Sequence, residues 1–323
     1  MEKYPKKLSF VIPCYKSEHT ITAVVEDICK EFPREKYDKE IVLVNDGSAD
    51  GTFSTIKKLA SENDEIIAVN LSRNFGQDGA TMCGYNVASG DYIITLDDDG
   101  QNPPCETHKL LATIEEGYDV VFGRYHKKKD SAFKTWGSNF NNKMATVMIG
   151  KPKDIMLCSY FIMNSFVKNE IIKYQGAYPY LWGLILRSTR NMANVYIEHK
   201  SREVGESTYT LAKLVGLWVD GFTSFSIKPL RITTVLGGFA ALVGFVYAIV
   251  IIIRTALYGD VSGWTSLMAG ILILGGLQMI MIGLLGEYVG RIFINENKAP
   301  QFIIREKFSK KTDDAGALDE SLK

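Results

Sequence analysis

Two long apolar segments near the C-terminus constrain this chain more than any other feature. They run from Ile232 to Ile253 and from Leu267 to Leu285. Each is long enough to cross the hydrocarbon core of a bilayer, which takes about 20 helical residues. Neither has the polar face that a long helix of a soluble protein normally keeps, which weighs against a pair of buried soluble helices. The sequence therefore predicts two transmembrane helices joined by a short turn.

The charges around these segments predict their orientation. Lys228 and Arg231 precede the first segment, Arg291 and Lys298 follow the second, and the connection carries Asp260. Because cytosolic flanks are rich in Lys and Arg, both termini are expected in the cytosol. The N-terminus lacks the apolar centre of a signal peptide. We therefore expect an integral protein of the cell inner membrane whose soluble part faces the cytosol.

The overall charge excludes one class of partner. Lys plus Arg and Asp plus Glu both number 37, so the formal net charge is zero, and a general nucleic-acid binder would carry a basic face. No nucleic-acid partner is expected. The cysteines are scattered without metal-ligand spacing, which predicts reduced core thiols. They are Cys14, Cys29, Cys83, Cys105 and Cys158.

The residues before the apolar segments alternate between strand-like and helix-like stretches. Leu8 to Ile12 and Glu40 to Val44 are short runs rich in β-branched residues, and a helical pattern covers Thr20 to Phe32 between them. The alternation continues with a helix-like stretch at 53–63, a strand-like one at 66–71, a helix-like one at 79–88 and a strand-like one at 92–96. This order predicts an α/β fold with a mostly parallel sheet, whose ligands bind beyond the carboxyl ends of the strands.

The strongest chemical signal is a run of three carboxylates, Asp97, Asp98 and Asp99, at the end of an apolar strand. Adjacent like charges repel, so a fold that concentrates them usually offsets them with a cation. Oxygen ligands favour Mg²⁺ or Mn²⁺, which would in turn hold a diphosphate. Successive side chains of an extended segment point opposite ways, so Asp97 and Asp99 could face one ion while Asp98 faces elsewhere. The alternative interpretation is a solvated acidic turn.

A second polar cluster, Val44 to Thr52, ends a strand and opens a helix. Its carboxylate Asp46 could accept hydrogen bonds from a nucleobase or ribose, although an ordinary βα turn explains the cluster equally well. The chain has neither the Gly-x-Gly-x-x-Gly pattern nor the Gly-Lys-Ser/Thr loop. Neither a dinucleotide fold nor a P-loop is therefore supported.

Several of these segments agree in order and spacing with one family. They are 10–15, 44–52, 71–76, 88–91, 97–104, 202–209, 220–226, 229–231 and 286–291. Together they resemble family 2 glycosyltransferases of the polyprenyl-phosphate (undecaprenyl- or dolichyl-phosphate) hexosyltransferase type. The resemblance implies a GT-A type nucleotide-sugar-binding domain and inverting transfer of a hexose or N-acetylhexosamine to polyprenyl phosphate. It also implies a nucleotide-diphosphate sugar as donor, with UDP favoured and GDP as the alternative, and a divalent cation.

The same resemblance implies roles for individual residues. The metal would be held by Asp97, Asp99 and Gln101. The nucleotide would be bound by Pro13, Tyr15, Glu18, Asp46, Asp97 and Asp98. The acceptor phosphate would meet Arg124, Arg202, Ser207 and Tyr209. Asp99, Arg124 and Arg202 are the expected catalytic residues. The two arginines are suited to phosphate, because the planar fork of the guanidinium makes bidentate contacts.

One position departs from the family pattern. Relatives commonly have an Asp, a proposed catalytic base, where this chain has Ser159, and Asp154 is a weak substitute candidate. A base is dispensable here, because a phosphate monoester has a second pKa near 6 and is already largely ionised at neutral pH.

The expected domains are the GT-A domain at 1–206, a juxtamembrane amphipathic segment at 207–230, a two-helix anchor at 231–290 and a C-terminal segment at 291–323. The amphipathic segment could lie in the membrane interface or pack as a core helix. Beyond Arg305 a disordered tail is expected. Gln301 to Arg305 could pair between chains in a homo-oligomer.

Two other functions compete with transfer to a lipid phosphate. A processive polysaccharide synthase would have more membrane spans and a Gln-x-x-Arg-Trp motif, and the chain has neither. A catalytically silent membrane scaffold that keeps the fold is the second alternative, and the serine at position 159 motivates it. The sequence does not say which sugar is moved, because a few loop contacts decide sugar specificity.

Overall fold

The computed structural model describes residues 6–125, 146, 151–198, 228–258 and 263–310. Contacts divide the chain into two compact units. One unit combines Met1–Tyr209 with Lys298–Lys323, and the other is Thr210–Asn297. The segment that follows the apolar helices therefore belongs to the same unit as the N-terminal domain.

The first half of the larger unit alternates strand and helix as predicted. Its elements are β1 (Leu8–Cys14), α1 (Ile21–Glu31), β2 (Lys39–Asn45), α2 (Thr52–Glu62), β3 (Ile66–Leu71), α3 (Gln77–Val87) and β4 (Tyr92–Thr95). Every residue of β1 and β2 is buried. Continuous burial of runs rich in Val and Ile is typical of central strands in a sheet covered on both faces.

The second half is less regular. It comprises a 3₁₀ turn (Pro104–Glu106), α4 (Thr107–Ile114), β5 (Val120–Tyr125), β6 (Phe161–Asn164), α5 (Ser165–Ile171), α6 (Leu181–Ser188), β7 (Met192–Ile197) and β8 (Ile304–Phe308). The Asn164 side chain accepts a hydrogen bond from the Val167 backbone N–H and so caps the start of α5.

The eight strands form one sheet in the order β7-β5-β6-β4-β1-β2-β3-β8. The pairs among β1 to β4 are parallel, whereas β6 and β8 run antiparallel to their neighbours. The predicted α/β fold with a mostly parallel sheet is confirmed. Because β1 to β4 run the same way, the loops that follow them, at 15–20, 46–51, 72–76 and 96–103, meet at one side of the sheet, here called the carboxyl edge.

The C-terminal segment corrects one expectation. The predicted disorder beyond Arg305 is wrong for the next residues, because β8 (Ile304–Phe308) pairs with β3. The Ser72 backbone N–H also donates to the Ile303 carbonyl at 2.9 Å. Ile304 and the residues after it in β8 pair within the chain, and pairing of 301–305 between chains stays a prediction. Three consecutive charged residues, Arg305 to Lys307, make β8 resemble a polar tail, although charged side chains are common on edge strands.

The cysteines follow the prediction only in part. Cys14 and Cys83 are buried and Cys29 and Cys158 are half-buried, but Cys105 is exposed.

The smaller unit contains α7 (Lys228–Tyr258) and α8 (Trp264–Glu296). Large apolar side chains stand exposed along both helices, for example Phe239 and Ile252 on α7 and Ile273 on α8. Two stretches have the length and composition to cross a membrane, Thr233–Arg254 and Ile273–Glu296. The side chains of buried soluble helices would be covered, so this alternative does not fit.

Candidate active site

The three carboxylates lie at the carboxyl edge, directly after β4 and the buried Leu96. Asp97 and Asp98 face different partners. The Tyr15 backbone N–H donates to Oδ2 of Asp98 at 3.0 Å, which ties the loop after β1 to the loop after β4. The divergence of neighbouring side chains agrees with the alternation expected of an extended segment.

Asp97 receives hydrogen bonds from three separate parts of the chain. Its Oδ1 accepts from Nε2 of Gln77 at 2.9 Å. Its Oδ2 accepts from Nδ2 of Asn102 at 3.1 Å and from Oγ of Ser159 at 2.6 Å. The structure therefore brings together α3, the loop after β4 and the residue before Tyr160 and β6 around one carboxylate.

The environment of these acids disfavours their charge. Burial raises the pKa of Asp97, and the neighbouring charge of Asp99 raises it further against the hydrogen bond from Ser159. Burial likewise raises the pKa of Asp98 to about 6. Packing like charges in a poorly solvated place costs free energy, which a bound cation would offset. This is the electrostatic pattern of a site built for a positive ligand.

The donor atoms fit Mg²⁺ or Mn²⁺ under one condition. Among the described residues, no group of three or more His, Cys, Asp or Glu side chains could hold a metal ion. Mg²⁺, however, is commonly held by one or two carboxylates together with substrate phosphates and water. Asp97 and Asp99 can supply such carboxylates, and the Gln101 backbone N–H donates to Oδ1 of Asp99 at 3.1 Å. The residues therefore fit a cation whose coordination the substrate completes.

Asp46 is buried at the end of β2, and the protein already uses both of its oxygens. The backbone N–H groups of Phe75 and Gly76 donate to Oδ1 and Oδ2 at 2.7 and 2.9 Å. Burial raises the pKa of Asp46 against these two hydrogen bonds. The carboxylate thus anchors the loop after β3 across the end of β2.

Gly47 lets the two loops touch. Its φ is +62°, and a Cβ at this position would lie 2.3 Å from the carbonyl carbon of Arg73. Any side chain would therefore be strained and would collide with the backbone. The contact fixes the distance between the loops after β2 and β3.

The other residues predicted to bind the nucleotide border the same region. Pro13 is buried within β1, whereas the Tyr15 side chain is 49% exposed and free to meet a ligand face. Oε2 of Glu18 accepts from the Gly51 backbone N–H at 2.6 Å, which joins the loop after β1 to the start of α2. The structure thus places Pro13 near the end of β1 and Tyr15, Glu18 and Asp46 on adjacent loops of the carboxyl edge.

The residues predicted to meet the acceptor are only partly described. Arg124 is half-buried near the end of β5, and its guanidinium lies 5.2 Å from the ring centre of Tyr196 on β7. Asp154 is exposed. Arg202, Ser207 and Tyr209, and most of the amphipathic segment at 207–230, lie outside the described residues.

Sequence reasoning missed two of the residues around Asp97. Gln77 directly follows the matched segment 71–76, and Asn102 lies inside the motif 97–104. Their position in or beside matched segments was the only available signal. Ser159 was noted as the place where a base is expected, but its hydroxyl points to Asp97.

Comparison with known proteins identifies the family of the chain. Residues 9–172 match the family model described as Glycosyl transferase family 2, and residues 228–292 match the one described as GtrB C-terminal hairpin. The chain belongs to glycosyl transferase family 2, and its domain has the GT-A like α/β fold. The hairpin match covers most of α7 and α8.

Two relatives resemble the whole chain. It is 34% identical to the undecaprenyl-phosphate 4-deoxy-4-formamido-L-arabinose transferase of Proteus mirabilis (strain HI4320), over 93% of each chain. It is 33% identical to the transferase of the same name from Photorhabdus laumondii, over 93% of this chain and 94% of that one. A crystal structure of a mycobacterial protein aligns with a TM-score of 0.51 at 16% identity, over 68% of this chain and 73% of that one, and supports the fold alone. The family resemblance predicted from the motifs is confirmed.

Proposed function

We propose that this protein transfers a sugar from a nucleotide-diphosphate sugar to polyprenyl phosphate at the cytosolic face of a membrane. One observation carries the proposal: the similarity to undecaprenyl-phosphate sugar transferases spans 93% of the chain, so it includes both the GT-A domain and the helical hairpin. Membership of family 2 supplies the glycosyltransferase chemistry, and the carboxyl edge supplies a place for it.

The donor nucleoside would lie over the ends of β1 and β2. Asp46 can accept further hydrogen bonds from a ribose or base, because each carboxylate oxygen has two lone pairs and only one is used by Phe75 or Gly76. The exposed ring of Tyr15 offers an apolar face at the same edge. Pro13 and Glu18 shape the loop between these two groups.

The diphosphate would extend toward the loop after β4. Asp97, Asp99 and Gln101 would hold Mg²⁺ or Mn²⁺ there. When bound, the ion supplies positive charge that stabilises the leaving nucleoside diphosphate. Asp98 contributes indirectly, since it holds the Tyr15 loop in place.

The acceptor phosphate would approach Arg124, together with Arg202, Ser207 and Tyr209. A phosphate oxygen attacks the anomeric carbon of the sugar, and the bond from this carbon to the diphosphate breaks with inversion. Because a phosphate monoester is largely a dianion above pH 6, no proton has to leave the nucleophile. A serine at position 159 is therefore compatible with catalysis.

The hairpin of α7 and α8 would anchor the enzyme where its lipid acceptor resides. The flanking Lys and Arg residues favour cytosolic termini. The transferred sugar could be a hexose, an N-acetylhexosamine, or a 4-substituted pentose such as the one in the names of the relatives. The product would be a lipid-phosphate-linked sugar that later enzymes use as a donor for cell-envelope glycans.

The test is a transfer assay with the full-length protein in lipid nanodiscs. Undecaprenyl phosphate is incubated with a panel of UDP- and GDP-linked hexoses, N-acetylhexosamines and 4-formamido-pentoses, and lipid products are identified by mass spectrometry. Undecaprenol, which lacks the phosphate, is the control acceptor. We expect one donor to give a lipid-phosphate-linked sugar and undecaprenol to give none. Binding of nucleotide without any transfer would instead favour the silent scaffold.

A further inference from the structure

The hydrogen bonds around Asp97 carry an inference that deepens the proposed function and rests on it. Three side chains from three segments converge on one carboxylate. We propose that Gln77, Asn102 and Ser159 are positioning residues, which fix the orientation of Asp97 toward the cation before substrate binds. In this arrangement Ser159 acts as a hydrogen-bond donor to Asp97 and takes no proton from the acceptor.

The geometry of Ser159 defines its role. Its Oγ lies 2.6 Å from Oδ2 of Asp97, the short distance typical of a hydroxyl that donates to a carboxylate. An ionised carboxylate can only accept, so the hydroxyl proton lies between the two oxygens. A serine hydroxyl that already donates this hydrogen bond supports the carboxylate.

Hydrogen bonds of neighbouring residues hold the backbone at Ser159 in place. The neighbouring Tyr160 is fully buried, and its hydroxyl lies 2.6 Å from Oγ1 of Thr107 and donates to the Pro103 carbonyl at 3.1 Å. Tyr125 donates to Oδ1 of Asn102 at 2.6 Å, which turns the amide N–H₂ of Asn102 toward Asp97. The loop after β4 is therefore held from β5 and from the start of β6.

Gln77 reaches Asp97 from the opposite side. It is the first residue of α3 and follows Gly76, whose φ is +85° and whose N–H donates to Asp46. The carboxylate expected to bind the nucleoside thus fixes the backbone from which Gln77 extends. Asp97 is held between the start of α3 and the loop after β4. Its orientation is therefore set before the reaction, as electrostatic preorganisation requires.

The inference is tested on the full-length protein through cation affinity. Mn²⁺ binding in the presence of UDP is measured by electron paramagnetic resonance for wild type, Ser159→Ala and Gln77→Ala. Matched controls are Ser188→Ala and Gln175→Ala, because among the described residues the hydroxyl and amide that they remove bond to the Leu184 and Ile172 carbonyls, away from Asp97. Loss of one hydrogen bond to a charged group should weaken Mn²⁺ binding about tenfold or more, whereas the controls should stay within about twofold.

Kinetics separates positioning from other roles. At saturating Mn²⁺, Ser159→Ala should lower kcat about tenfold with little change in the KM for the nucleotide sugar, and Ser159→Thr, which keeps the hydroxyl, should recover most of the loss. Ser159→Cys keeps roughly the same volume, but a thiol is a weak hydrogen-bond donor, so kcat should fall as it does for Ser159→Ala. This variant serves as the test if the alanine variant folds poorly.

Two outcomes would overturn the inference. One is Mn²⁺ affinity of Ser159→Ala, Ser159→Cys and Gln77→Ala that matches the controls, even if kcat falls. The other is wild-type protein that binds no Mn²⁺ with UDP present. If wild type binds Mn²⁺ with UDP but transfers no sugar to lipid phosphate, the proposed function fails while the positioning role is still judged by the affinities.

Discussion

The two ends of the parallel strands treat their acids in opposite ways. At the amino end, Glu40 on β2 accepts hydrogen bonds from Nζ of Lys7 at 2.7 Å, Oγ of Ser9 at 2.6 Å and the backbone N–H of Ser89 at 2.5 Å. Burial alone would raise the pKa of Glu40, but these hydrogen bonds outweigh it and hold the pKa below its ordinary value. This acid stabilises the fold as an ion.

At the carboxyl edge, the acids stand beside one another and raise one another's pKa. Burial and the neighbouring charge of Asp99 raise the pKa of Asp97. In the part of the chain that the structure describes, no ion pair within 4.0 Å involves Asp97 or Asp98. The comparison shows that one end of the sheet uses its buried carboxylate for stability, whereas at the other end the neighbouring acids cost stability, which the proposed cation would offset.

The largest expected effect is on activity and comes from Asp99→Asn. The change removes one charge from the cation site and should lower sugar transfer about a hundredfold or more. Because it also removes a like-charge repulsion, the melting temperature should stay the same or rise. Transfer assays and differential scanning fluorimetry of the full-length protein measure both effects. Activity within tenfold of wild type would remove Asp99 from the site.

Glu40→Gln should produce the reverse pattern. The amide N–H₂ would face the donors of Lys7, Ser9 and Ser89, so the free energy of unfolding should fall by about 2–4 kcal/mol at pH 7. The rate of transfer per folded molecule should stay within twofold. Since the folded pKa of Glu40 is lowered, its stabilisation is present above the unfolded value near 4.5 and is lost as the pH falls through the folded pKa. A destabilisation that persisted undiminished at lower pH would contradict this account.

A smaller effect, of opposite sign, is expected at Asp78 on α3. Burial raises its pKa to about 6, and within the described residues its carboxylate accepts a single long hydrogen bond of 3.3 Å, from the Leu181 backbone N–H. Because the pKa of Asp78 is higher in the folded than in the unfolded state, the protein loses stability as the pH rises from about 4 to about 6. Asp78→Asn should therefore stabilise the protein by about 1–2 kcal/mol at pH 7.5, and the gain should vanish near pH 4. Thermal unfolding at the two pH values measures the difference.

Much of the fold could be predicted because the strands of the first half are continuous apolar runs. The bounds of β3, Ile66–Leu71, agree with the predicted strand, and those of α1, Ile21–Glu31, differ from the prediction by one residue at each end. β8 could not be predicted, because its three consecutive charged residues resemble a polar tail and edge strands commonly carry charge.

The candidate site was predictable in its acids and not in their partners. The carboxylates Asp46 and Asp97 lie in segments whose residues match the family motifs, so their place at strand ends could be predicted from the sequence. Ser159 and Gln77 meet Asp97 across 62 and 20 residues of chain, and such contacts depend on tertiary packing that periodicity does not encode. Sequence also gave no sign that backbone N–H groups occupy Asp46.

The measurement that tests the central claim most directly is the cation dependence of sugar transfer. Full-length protein in nanodiscs is stripped of divalent ions with EDTA, and its transfer to undecaprenyl phosphate is measured before and after Mg²⁺ or Mn²⁺ is restored. We predict that the stripped protein works at least about a hundredfold more slowly and that either ion restores the rate. A full rate without divalent ions would contradict the role assigned to the carboxylates of the carboxyl edge.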